Sequence, residues 1–276
     1  MLRLCALAVL LCMPVFATDS LAIDEALQHL YSFDFPGAHR ALNSSIAEHP
    51  QDPLPYAFRA SAYLFYELDR LGILESEFLT DDDKIKDKKE LDPDPAIRSR
   101  FMKALDDAQA RAGAVLKVKP NDLNALFAMS VAQGVATDYM ALVEKRQISS
   151  LSTAKRSNNY AQRLLRLDPK FYDAYLTSGF SEYMIGSLPF FIRWFVHFDN
   201  VSGSKEKGRQ QLELVAREGH YFRAFAKILL GICDLREKNP EGAQRLLAEL
   251  AREYPTNPLF RKELAKLNSK LGIAAN

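Results

Sequence analysis

Cysteine is scarce in this chain, three in 276 residues, which excludes a small scaffold stapled by disulfides. Twelve glycines and thirteen prolines are too few for a collagen-like or low-complexity chain. Neither sign of charge dominates, with 36 Lys and Arg against 35 Asp and Glu. A non-specific grip on nucleic-acid phosphates needs a basic surplus gathered on one face, and a net charge of +1 supplies none. The motifs GxSxG, HExxH, GxxxxGK[ST] and GxGxxG are all missing, so the hydrolase, zinc-protease, nucleotide-phosphate and dinucleotide chemistries they carry have no anchor. What is present is apolar material, 48% of the residues, enough for a large core.

The first 20 residues read as a targeting segment. Arg3 is followed by an apolar run from Leu4 to Phe16, and Val15-Phe16-Ala17 fits a small-x-small cleavage site. That run is shorter than the roughly 20 residues of a spanning helix. The expectation is an exported, periplasmic protein cleaved after Ala17, with residues 18–276 forming a single domain. Cleavage removes Cys5 and Cys12 and leaves Cys233, flanked by Leu229 and Ile232, as a small core residue.

Beyond residue 20 apolar residues recur every three or four positions, as in Leu27, Leu30, Tyr31 and Leu246, Leu247, Leu250. This spacing predicts an all-α chain. Breaks fall at proline turns around Pro50, Pro120, Pro169 and Pro255. Twelve residues before these prolines stand Ala38, Ala108, Ser157 and Ala243; ten residues after them stand Ala60, Ser130, Gly179 and Ala265. Two antiparallel helices packed closely require residues without bulk where their backbones cross.

The offsets resemble the tetratricopeptide repeat, a helix-turn-helix of 34 residues. Ala224 to Asn257 is the best single copy, with Gly231 and Ala243 twelve apart. Near His220 a further junction carries Gly208, Leu212 and Val215 at the same offsets. The family's tryptophan is missing throughout, and Tyr63 is the one clear match to its tyrosine. The resemblance implies a right-handed α-solenoid of antiparallel helix pairs. Successive junctions at 50, 120, 169, 220 and 255 lie 70, 49, 51 and 35 residues apart, so extra residues are expected between the two helices of a pair. Pairs are predicted at 20–49, 54–119, 122–168, 171–219 and 221–254, with a capping helix over 259–272. Residues 79–95, rich in Asp and Lys, are expected to form a charged mobile loop.

Chemistry has few candidates. Ser152-Thr153-Ala154-Lys155 satisfies SxxK, but Ser204-Lys205-Glu206-Lys207 does too and no KTG follows. The five histidines are scattered, and Asp81, Asp82, Asp83 and Asp87 lack the spacing of a calcium loop. No metal and no cofactor are expected, and the protein is read as a non-enzyme.

The resemblance instead implies binding along the concave face, reached by residues beside the small position of each first helix. Those are Ala57, Ser61 and Leu64; Asn124, Phe127 and Val131; Leu176, Phe180 and Tyr183; Ile228 and Ile232. The Lys and Asn of the family's carboxylate clamp are absent from this face, so the expected partner is an apolar protein or peptide segment. The rival expectation is docking on a membrane surface through 188–198, where Phe190, Phe191, Trp194 and Phe195 leave almost no polar face on a helix.

Overall fold

The computed structural model describes residues 16–75, 91–188 and 201–273. Among them are eleven α-helices and no strand. In chain order they are α1 (Phe16–Tyr31), α2 (Phe35–Glu48), α3 (Leu54–Arg70), α4 (Pro95–Val118), α5 (Leu123–Asp138), α6 (Gln147–Leu167), α7 (Tyr175–Ser187), α8 (Lys205–Glu218), α9 (Arg223–Arg236), α10 (Pro240–Glu253) and α11 (Pro258–Leu271). Consecutive helices pack in pairs, α1 with α2 through α9 with α10, and α11 closes the series against α10. All five pairs and the closing helix fall where the proline turns predict them.

The turns work because their polar residues occupy the first-turn amides that a helix leaves unpaired. Asp34, Asp94, Asp122, Ser204, Asn239 and Asn257 each accept a bond from an amide of the helix they precede. Small residues then set the crossing distance. Ser130 Oγ donates to the Ser157 carbonyl at 3.1 Å, and Ser157 Oγ returns a bond to the Ser130 carbonyl at 2.7 Å. In the next pair a Cβ on Gly208 would lie 2.5 Å from the Tyr183 amide nitrogen and 2.6 Å from the Gly179 carbonyl, a clash of backbone with backbone. Ala60 and Ala108 are fully buried.

Three expectations need correction. Ala265 is exposed, because among the described residues no helix follows α11 to cross it. Gly231, although buried, has nothing within 4 Å of a Cβ built on it, so its smallness is not forced by close approach. The third pair takes up its extra residues in helix and not in an insertion. Both α5, extended by a π-helical turn over Tyr139–Val143, and α6 outrun the 14-residue helices α9 and α10. The continuous stretch Leu123–Val143 is long and apolar enough to cross a membrane, yet most of it is buried against neighbouring helices, as a core helix of a folded domain is. The charged-loop expectation falls largely on residues 76–90, outside the described residues, as does the signal peptide up to residue 15.

The first and last pairs meet. Tyr31 Oη, at the end of α1, donates to the Tyr221 carbonyl at 3.1 Å, and its ring lies 5.4 Å from that of Tyr254. Asn257, fully buried, caps α11 with its oxygen while its Nδ2 donates to the Tyr31 carbonyl at 2.7 Å. Asp24 lies 2.6 Å from His220 Nε2, and Lys262 and Lys266 of α11 reach Glu75 at 2.8 and 3.3 Å.

Candidate functional site

Where the ends meet, rings from four junctions and helix starts fill the space between them. Phe127 of α5 lies with its centroid 4.9 Å from Phe171, 5.6 Å from both Tyr221 and Phe222, and 6.5 Å from Phe58 of α3. Phe58 in turn faces Tyr221 and Phe222, and Phe65 meets Phe225 edge-on at 5.5 Å. Aromatic rings carry large apolar areas, and closing them against one another removes that area from water.

The residues expected to line an open groove therefore divide. Phe127, Leu64 and Tyr183 are each 1% exposed, and Val131, Leu176, Ala57 and Ser61 are also buried. These seven side chains face the protein's own residues: Ala57, Leu64, Phe127 and Val131 lie in the large core, while Leu176 and Tyr183 pack with Leu212, Leu229 and Cys233 of α8 and α9. Tyr183 is held further by its hydroxyl, which donates to the Cys233 carbonyl at 3.4 Å and so ties α7 to α9. Asn124 is exposed, but its Nδ2 donates to Asp52 Oδ1 at 2.7 Å. Phe180, Ile228 and Ile232 are half-buried, and Met184, one turn beyond Phe180, is 37% exposed. Among the residues expected on the concave face and their neighbours, these four on α7 and α9 keep contact with solvent, as does Tyr66 of α3 at 38%. Phe190, Phe191, Trp194 and Phe195 lie outside the described residues.

Buried acids, which sequence reasoning passed over, anchor the connections. Glu182 of α7 is 1% exposed and accepts bonds from the amides of Ser202, Gly203 and Ser204, the Ser202 hydroxyl and the Lys207 ammonium. Burial alone would raise its pKa, but these donors outweigh it and hold the carboxyl below its ordinary value. Glu67 of α3 is fully buried, paired with Arg70 at 2.9 Å and accepting the Asp94 amide at 2.8 Å. Asp173 receives the amides of His220, Tyr221 and Phe222 at 2.8 to 3.0 Å, although burial still raises its pKa. The signal available in the sequence was an acid set among apolar residues at helical spacing, as in Leu64-Phe65-Tyr66-Glu67-Leu68. Asp138 differs: burial raises its carboxyl to about 7, with no charge among the described residues offsetting it.

Nucleophile candidates sit in unhelpful places. Ser152 is exposed on α6 and its Oγ donates to the Ser149 carbonyl of its own helix. Cys233 is buried in the core shared by α7, α8 and α9, and burial pushes its thiol up to about 12, far from the thiolate form that reacts at neutral pH. Among the described residues no three His, Cys, Asp or Glu side chains converge as a metal site would require. Comparison with protein-family models, with curated proteins and with solved structures gives no match for this chain.

Proposed function

We propose that this chain is an exported, periplasmic, non-catalytic protein of the tetratricopeptide type. Its five helix pairs stack as a right-handed solenoid, and it holds an apolar segment of a protein partner against α7 and α9. The observation that carries this reading is the partial exposure of Phe180 and Met184 on α7 and of Ile228 and Ile232 on α9, apolar side chains on two helices that share a core with α8. Phe180 and Ile232 rest on a rigid floor of Tyr183, Leu212, Leu229 and Cys233, so a partner's side chain would meet a preformed surface and little ordering cost. The recurring small positions, met face to face at Ser130 and Ser157 and at Gly179 and Gly208, support the repeat assignment.

The test is co-purification from the native compartment. Phe180→Ala combined with Ile228→Ala should remove a crosslinked protein partner while far-UV circular dichroism and Tm stay near wild type. Unchanged recovery of the partner would refute these residues as the binding surface.

A further inference from the structure

We propose that the edge where α4 and α6 end docks on the headgroup layer of an anionic membrane. It uses neither the apolar residues of α7 and α9 nor residues 188–198. The two helices end in contact: the Arg163 guanidinium of α6 donates to the Pro120 carbonyl and, at 3.3 Å, to Asn121 Oδ1 in the turn that follows α4. An apolar side chain faces water on either side of this contact. Val118, two residues before Pro120, is 80% exposed, and Leu167, one turn beyond Arg163 on the same face of α6, is 42% exposed. The junction register does not ask for an apolar residue there, because the place two before Pro50 and Pro255 is taken by exposed Glu48 and Glu253. Exposed Lys117 and Lys119 bracket Val118, and exposed Arg166 and Lys170 lie beside Leu167.

A helix dipole favours cations in the last turn, which accounts for Lys117 and Arg166. It does not account for Lys119 and Lys170, which stand beyond the helix ends. None of these four side chains makes an ion pair among the described residues. Acids that could neutralise them are scarce on the elements that build the edge: Asp122 is the one acid from 108 to 137, and none occurs from 145 to 167. Asp122 and Asp168 turn a carboxylate oxygen to the Ala125 and Lys170 amides, and Asp52, which reaches this edge from the preceding turn, accepts from the Leu54 amide and Asn124 Nδ2. The acidic residues 81–83 and 87 belong to a segment that rejoins the described chain at Leu91, before the opposite end of α4. The length of that helix sets its start about 36 Å from Val118. Long basic side chains around short apolar tips suit a headgroup layer, where the cations reach phosphates and the tips enter the interface. A fluid layer also admits tips from two separate turns without a matching pocket for each.

The experiment sediments the full chain with vesicles of phosphatidylglycerol and phosphatidylcholine in equal parts, and with phosphatidylcholine alone. The expected result is stronger binding to the anionic vesicles, weakened by sodium chloride. Lys117→Gln with Lys119→Gln should weaken it about thirtyfold, a factor of about five for each charge removed, while Lys117→Arg with Lys119→Arg binds as wild type does. Val118→Ser should weaken it about fivefold. All variants keep every other segment of the chain, and their circular dichroism should match wild type, so a loss belongs to this edge. Equal binding to both vesicle types, a double Gln variant that binds as wild type does, or displacement by inorganic phosphate beyond that by chloride at matched ionic strength, the mark of a small-anion site, would overturn the assignment.

Discussion

Replacing Phe127 by alanine separates a core role from a partner-binding role by magnitude alone. The ring is 1% exposed. A fully buried phenylalanine removes on the order of 150 Å² from water, worth about 4 kcal/mol at roughly 25 cal/mol per Å². The four rings around it, Phe58, Phe171, Tyr221 and Phe222, come from distant parts of the chain and cannot collapse freely into the vacancy. A cost of about 3–5 kcal/mol is expected, the range for Phe→Ala in cores. A solvent-facing groove anchor would instead cost within about 0.5 kcal/mol. Urea unfolding followed by the helical circular-dichroism signal measures the difference, provided the slope m stays that of wild type so that two-state comparison holds. A loss below about 1 kcal/mol with m unchanged would refute the packed interior.

Removing the Glu182 carboxylate with Glu182→Ala should cost about 3–5 kcal/mol, because five donors lose their acceptor. Its folded pKa lies below the unfolded one, so wild-type stability from this group is complete above about pH 5 and is lost as pH falls through the folded value; the variant's unfolding curves should show a shallower acid limb. Asp138 has the opposite sign. Raised to about 7, its carboxyl stays protonated in the fold while the unfolded chain ionises, so stability falls as pH rises from about 4 to 7, and Asp138→Asn should be about 1 kcal/mol more stable than wild type at pH 8 after discounting for its partial exposure. Thermal melts at pH 5 and pH 8 check it. Gly208→Ala should lower Tm sharply, because its Cβ would meet backbone at 2.5 Å, whereas Gly231→Ala, with open space, should leave Tm unchanged or raise it.

The helix pairs were legible because their signals are local: a proline turn with a capping Asp or Asn, and a small residue at a fixed offset on each side. Ser130 and Ser157 needed no structure to be paired in principle, since each is set by its own junction. The meeting of the ends was not legible. Tyr31 bonds to Tyr221, and Asn257 bonds to Tyr31, across sequence separations that no periodicity encodes. For that reason Phe127, expected on the groove, lies in the core: an aromatic on the inner face of a helix looks the same whether its neighbour is a partner or the far end of the same chain. Glu67, Asp173 and Glu182 escaped for a related reason, as their donors are backbone amides, which every sequence contains. Asn124, Phe180 and Ile228 keep some contact with solvent because nothing in the described chain closes over them.

Contact between the opening helices α1–α3 and the closing helices α9–α11 is the claim on which the filled interior rests, and zero-length carbodiimide crosslinking of the dilute wild-type protein tests it. Lys262 and Lys266 lie 2.8 and 3.3 Å from Glu75, so digestion and mass spectrometry should recover Glu75 joined to one or both, at a yield independent of protein concentration. Lys103 with Asp107, 3.0 Å apart within α4, serves as the internal control. Recovery of the control crosslink without any joining Glu75 to Lys262 or Lys266 would contradict a chain whose ends meet.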